Sequence, residues 1–93
     1  MTRESESLDK LIGTHIRRHR KRNRVSQEAL AGAIGISYQQ LQKYEYGRNR
    51  VPASRLYYIA KALGVDLMAF FEGAAASANE SSAPPKSTRS LFA

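Results

Sequence analysis

The sequence contains no cysteine. That absence excludes a disulfide framework, a cysteine-liganded zinc site and a thiol nucleophile, and it fits a reducing compartment. No apolar run approaches the roughly 20 residues that a membrane span needs, and no signal-peptide pattern opens the chain. The expected setting is a soluble, intracellular one, with no membrane partner. Acidic residues are scarce in the middle of the chain: from Lys10 to Lys61, twelve lysines and arginines face only Glu28 and Glu45. No segment reads as a strand, and there is no internal repeat. Nor is there a nucleophile–base–orienter set, a phosphate-cradling glycine loop or a pair of acids, so an enzyme is the least expected class and no cofactor is called for.

What is present is a basic module. The 93 residues carry a formal net charge of +7, concentrated between neutral or acidic flanks. A basic patch on a folded unit is the electrostatic footprint of a polyanion partner. A chain of this length makes one small domain with a modest core, so binding or dimerisation would add noticeably to its stability.

The segment Ser26 to Tyr46, SQEALAGAIGISYQQLQKYEY, is the most informative. It reads as two short amphipathic helices joined at Gly35, which can take the positive φ that ends a helix and turns the chain. Leu30, Ala31 and Ile34 lie on one side of the first helix. Ile36 follows the turn, and Leu41 and Tyr44 face back from the second helix. Ala31 is small where the helices cross. Ser26 and Ser37 fit as N-caps, and Gln40 completes an S-x-x-Q capping box with Ser37. The competing reading is an ordinary helical hairpin.

The outer face of the second helix carries Tyr38, Gln39, Gln42 and Lys43. Gln39 and Lys43 stand four apart and share a face. Glutamine can pair bidentately with adenine, and lysine can donate to guanine. On an arbitrary helix such a face would simply be solvated. Inside a helix-turn-helix it is read as a base-reading surface of a double-stranded DNA binder.

Around this motif the pattern predicts all-α architecture with five helices. Residues 1–6 are polar and expected to fray, with Ser7 capping a first helix to about Arg22 whose apolar positions are Leu8, Leu11, Ile12 and Ile16. Gly47 stops the third helix. Pro52 suits the first turn of a fourth, which buries Leu56, Ile59, Ala60 and Leu63 and ends at Gly64. Asp66 caps a short fifth helix, LMAFFE, closed by Gly73. The folded domain is therefore placed at residues 7–73. Residues 74–93 form a low-complexity polar tail rich in Ala, Ser and Pro, too poor in large apolar residues to order itself.

Six basic residues crowd the eight positions from Arg17 to Arg24. Some complement the helix C-terminus; Arg22 and Arg24 are candidates for phosphate contact. Arg48 and Arg50 follow the recognition helix and are candidates for the same role, which sets register rather than sequence. Arg20 is set apart, because its spacing from Ile12 and Ile16 turns it toward the core. His15 and His19 stand i, i+4, but no acidic or cysteine partner is near and arginines surround them, so no metal site is expected. Of Phe70 and Phe71, one fills the core and the other is free to sit at an edge.

The stretch IGTHIRRHRKRNRVSQEALAGAIGISYQQLQKYEYGRNRVPASRLYYIAKALGVDLMAFFEG, residues 12–73, resembles the phage-repressor-like helix-turn-helix family, of the Cro/cI or xenobiotic-response-element type. The cues are SQEALA, the turn glycine, YQQLQKYEYG and KALGVDLMAFFEG together. The resemblance implies a five-helix, lambda-repressor-like domain that binds operator DNA as a symmetric homodimer. It implies a phosphate contact at Gln27, with Ser37 a further phosphate candidate, and base contacts from Tyr38, Gln39 and Lys43 with Gln42 nearby; it also places the chain in the bacterial cytoplasm, at the nucleoid. It also implies a buried ion pair between Arg20 and Glu45. Tyr38 departs from the glutamine frequent at this position, which favours cover of a thymine methyl or a backbone contact there. Leu67, Met68, Phe70 and Phe71 are the dimer candidates. The expected function is a sequence-specific transcriptional regulator, a repressor, with no sensor domain and room for a regulatory protein partner. The alternative is an antitoxin or antiactivator module that uses the same fold to mask a partner; RNA binding stands third, because the A-form groove is too narrow for a helix.

Overall fold

In the computed structural model, residues 2–74 are described. The expectations for residues 75–93 of the tail lie outside them. Four α-helices follow one another: α1 (Arg3–Arg22), α2 (Gln27–Ile34), α3 (Tyr38–Glu45) and α4 (Ala53–Leu63). The fifth element is a 3-10 helix, Leu67–Phe71, rather than an α-helix. The described residues contain no strand.

The helix ends follow from local chemistry. Ser26 accepts a hydrogen bond from the Ala29 amide at 3.0 Å, and Ser37 from the Gln40 amide at 3.1 Å. Each satisfies one of the four amides a helix start leaves unpaired. Gly35 takes φ 76° at the end of α2, so the turn between α2 and α3 is a glycine turn. The first helix starts earlier than its apolar pattern predicts. Thr2, not Ser7, caps it, accepting from the Ser5 amide at 3.1 Å. The apolar periodicity begins only at Leu8, so the polar first turn is invisible to a search for periodicity. Pro52 likewise sits one residue outside α4, at the N-cap, where it offers no side-chain acceptor.

The core is one cluster drawn from every element: Ile12 and Ile16, Leu30 and Ala31, Leu41 and Tyr44, Leu56, Ile59 and Leu63, with Phe70 fully enclosed. The buried residues of α1 are Asp9, Ile12, Gly13, His15, Ile16 and Arg20, a helical stripe. Leu8 falls outside it and lies exposed at the rim. α1 packs on α3 and on the 3-10 helix, while α2 packs on α3 and α4. Gly13 on α1 sits directly against the backbone at the end of α3. A Cβ there would run into the Tyr44 carbonyl oxygen and lie 2.7 Å from the Glu45 carbonyl oxygen. The tight crossing of α1 on α3 thus depends on Gly13.

Candidate nucleic-acid interface

The core contacts of α3 decide what its other side shows. Leu41, Tyr44 and Glu45 are buried. Tyr38, Gln39 and Lys43 are therefore turned to solvent, with Tyr38 40% exposed despite its ring. Gln42 is different. It is half-buried, and its Nε2 donates to Gln27 Oε1 at 3.1 Å.

Gln27 stands at the start of α2 and relays that bond inward. Its own Nε2 donates to Glu45 Oε1 at 3.1 Å. Glu45 is fully enclosed and pairs with Arg20, whose Nε donates to Oε2 at 2.6 Å and whose Nη2 donates to Oε1 at 3.1 Å. The third donor of Arg20, Nη1, reaches the Val25 carbonyl oxygen at 2.9 Å. One hydrogen-bonded chain thus joins α1, the following turn, α2 and α3. The bidentate fork suits guanidinium and carboxylate. A charge removed from water this far needs such a partner and further hydrogen bonds. Gln27 and Gln42, expected among the DNA-contacting side chains, first serve this network.

The loop cations divide as well. Arg48 is exposed and lies 6.0 Å from the centre of the Tyr46 ring. Arg50, expected on phosphate, brings its Nε to 3.4 Å from both carboxylate oxygens of Asp9. The reason is the burial of Asp9, whose carboxylate needs a counter-charge. Arg22 and Arg24 are exposed at the turn from α1 to α2, and Arg24 holds a left-handed φ of 58°. Ser37 and Ser26 keep their hydroxyl protons free of the capping bonds, so both can donate outward.

On the side of α1 that faces the 3-10 helix, His15 is a packing residue. Its Nε2 donates to the Glu72 carbonyl oxygen at 2.8 Å, and its Nδ1 accepts from Arg18 Nη2 at 3.0 Å. Arg18 also pairs with the Glu72 carboxylate at 3.4 Å. His19 meets Phe70 edge-on at 5.9 Å. Desolvation pushes the His19 imidazole below its ordinary pKa, helped by Arg18, Arg22 and His15 and opposed by Glu72. Of the dimer candidates, Met68 is 65% exposed and Leu67 is partly open, but Phe70 is sealed in the core and Phe71 packs against it. Phe70 is thereby removed from the shareable set.

A family model for the helix-turn-helix matches residues 16–70. The chain belongs to the xenobiotic-response-element type of helix-turn-helix family. Among curated relatives, a Rhodospirillum rubrum protein described as an uncharacterized transcriptional regulator in the ATPase CF(0) region is 51% identical over 70 residues, covering 75% of this chain and 65% of its own. The HTH-type transcriptional regulator y4wC of Sinorhizobium fredii is 47% identical over 70 residues, covering 75% of this chain and 49% of its own. The chain thus spans about half to two thirds of these curated relatives. Among solved structures, the clp gene regulator ClgR from C. glutamicum superposes with a TM-score of 0.70 at 30% identity, over 75% of this chain and 91% of that one. The restriction-modification controller protein C.AhdI from Aeromonas hydrophila gives 0.65 at 28% identity, over 70% and 97%.

Sequence reading passed over three residues at or beneath this surface. Tyr46 binds two guanidinium groups against its ring. Asp9 holds Arg50. Gly13 sets the helix crossing. Asp9, standing three and seven residues before Ile12 and Ile16 on the buried stripe of α1, and a glycine inside a helical pattern are the available signals.

Proposed function

We propose that the chain is a sequence-specific, double-stranded DNA-binding transcriptional regulator that inserts α3 into the major groove of an operator. The observation that carries this reading is the exposed face of Tyr38, Gln39 and Lys43 on a helix whose opposite side is locked into the core. Gln39 and Lys43 read base edges. Tyr38 covers a thymine methyl or touches the backbone. Gln42 supports the readers from its bond to Gln27. Phosphate contacts come from Ser37, the α2 start at Gln27, and Arg22, Arg24 and Arg48, which fix register. Arg50 shares its charge between Asp9 and the groove wall.

Two copies related by a two-fold axis would read the two halves of an inverted repeat, and occupancy of such a site represses by excluding other proteins from it. The relatives that are named transcriptional regulators support the functional class. Selection of bound sites from a random duplex library at physiological salt is the test. Enrichment of one roughly palindromic sequence, with a single-stranded copy binding far more weakly, is the expected result. A pool that stays random after several rounds defeats the proposal.

A further inference from the structure

Lys10, Thr14, Arg17 and Lys21 recur at i, i+4, i+7 and i+11 along α1 and therefore share one helix face. They open on a cleft of about 360 Å³ whose other side is Glu45 and Tyr46, at the end of α3. The Arg17 guanidinium lies 5.7 Å from the centre of the Tyr46 ring. Arg18 also borders the cleft but is engaged by Glu72 and His15. The acid of the cleft, Glu45, is neutralised by Arg20. Among the described residues, Lys10, Arg17 and Lys21 have no carboxylate at ion-pair distance. Three uncompensated cations thus converge on one concavity. Arg17 and Lys21 stand four apart, where like charges destabilise a helix. Solubility alone does not require them to be grouped. A cleft lined by one sign of charge focuses the field on whatever anion enters it.

The geometry points to a phosphate site along this cleft, occupied by neighbouring backbone phosphates of the duplex that α3 reads; this rests on the DNA-binding reading above. A helix seated in a groove roughly 12 Å wide has a sugar-phosphate wall on each side. Tyr46 leaves the end of α3 and meets that wall together with the α1 face beside it. Lys10, Arg17 and Lys21 donate to the phosphate oxygens. The Tyr46 ring holds Arg17 in place. Thr14 does not donate, because its hydroxyl is bonded to the Lys10 carbonyl oxygen at 2.9 Å.

The test is the double variant Lys10→Gln, Arg17→Gln, which keeps the first two methylenes of each stem and a polar tip and removes two charges. Binding to the selected duplex and to a random duplex is followed by anisotropy across a salt series, and inorganic pyrophosphate is titrated separately by amide chemical shifts. The slope of log K against log salt should fall by about two, since each neutralised phosphate contributes roughly 0.9. Affinity for both duplexes should drop by the same factor, on the order of tenfold at low salt. The preference between them should not change. If wild type discriminates the duplexes but the slope of the variant is unchanged, the cleft is not a phosphate site and the DNA-binding reading stands. If wild type shows no preference, both readings fall. Pyrophosphate that shifts Lys10, Arg17 and Tyr46 and is not displaced by duplex would make this a site for a free anion and overturn the proposal. Should the double variant melt early, Lys21→Gln alone, at an exposed position, should lower the slope by about one, and no change there refutes the site equally.

Discussion

Gln42 Nε2 donates to Gln27 Oε1 at 3.1 Å, tying the recognition helix to the first residue of α2. The bond occupies the same amide that would otherwise be offered to a base. It ranks the two outer glutamines of α3. Gln39 is exposed and its side chain has no hydrogen-bonded protein partner among the described residues, so Gln39→Ala should cost about 1–3 kcal/mol on the selected site and relax preference at one base pair. Gln42→Ala should weaken binding to all duplexes without changing the preferred base. Competition between the selected duplex and its single-base variants separates the two. A loss of preference with Gln42→Ala, and none with Gln39→Ala, would reverse the ranking.

The ion pair beneath that bond makes a prediction about stability. Glu45→Ala strands the Arg20 guanidinium, which is only 9% exposed, and leaves the Gln27 amide without its acceptor. Removing one partner of a buried pair costs about 3–5 kcal/mol, whereas an exposed pair is worth about 1 or less. Arg20→Met combined with Glu45→Leu removes both charges and should recover most of the loss. Chemical denaturation of the single and double variants checks this. A single variant as stable as wild type would mean the pair is solvated.

Gly13→Ala sets two effects against each other. Alanine is favoured over glycine inside a helix by about 1 kcal/mol. The new methyl, however, meets the backbone carbonyls of Tyr44 and Glu45, which cannot rotate away as a side chain can. Overpacking of this kind costs about 1–3 kcal/mol, occasionally more. The clash should win, and the melting temperature should fall. Gly32→Ala, in open space on α2, is the control and should hold or raise it.

How much of this was legible in the sequence depends on the range of each interaction. The turn glycine, the two serine caps and the apolar stripes of α2, α3 and α4 are local patterns, and the structure contains them where the spacing puts them. The Thr2 cap was missed because a polar first turn carries no periodicity. The 3-10 form of Leu67–Phe71 was missed because five residues present the same apolar spacing to either helix type. The pairing of Asp9 with Arg50 spans 41 residues, and no local rule reports it. The Gln27–Gln42 bond was hidden for another reason: both residues sit at positions where the family resemblance suggests a DNA contact, and only geometry shows that they meet each other.

His19 provides a dependence on pH. Its pKa in the folded state is pushed below the ordinary value of 6.5 by desolvation and by Arg18, Arg22 and His15. The unfolded chain therefore binds a proton more readily than the folded one, and stability rises with pH across that interval. Stability is fully present above about 6.5 and is lost as pH falls from there through the folded pKa. The effect should be small, because the ring is only half-buried. His19→Gln should flatten this part of the stability profile, measured by denaturation from pH 7.5 to 5. An identical slope in the variant would assign it to another group.

Assembly is the remaining question, and it follows from how little one domain can read. A single recognition helix covers a few base pairs, each mismatch costing about 1–3 kcal/mol, which is little discrimination against a genome of competing sites. Two domains on a two-fold axis double the site, with half-sites roughly 34–36 Å apart. The apolar residues left to share are on the 3-10 helix. Phe70 is excluded because it fills the core, and Leu67 and Met68 remain open. Met68 is 65% exposed, so Met68→Glu should leave the fold intact. It should nevertheless separate two protomers that meet there, because each would bring an unpaired carboxylate to an apolar contact. The expected outcome is an unchanged melting temperature, loss of cooperative occupancy of the palindrome, and half-site binding at higher protein concentration. Footprinting and mass measurement of the complex decide between the models. Cooperative binding retained in Met68→Glu would move the interface elsewhere, and one wild-type protomer held tightly on an asymmetric site would end the dimer model while leaving DNA recognition by α3 in place.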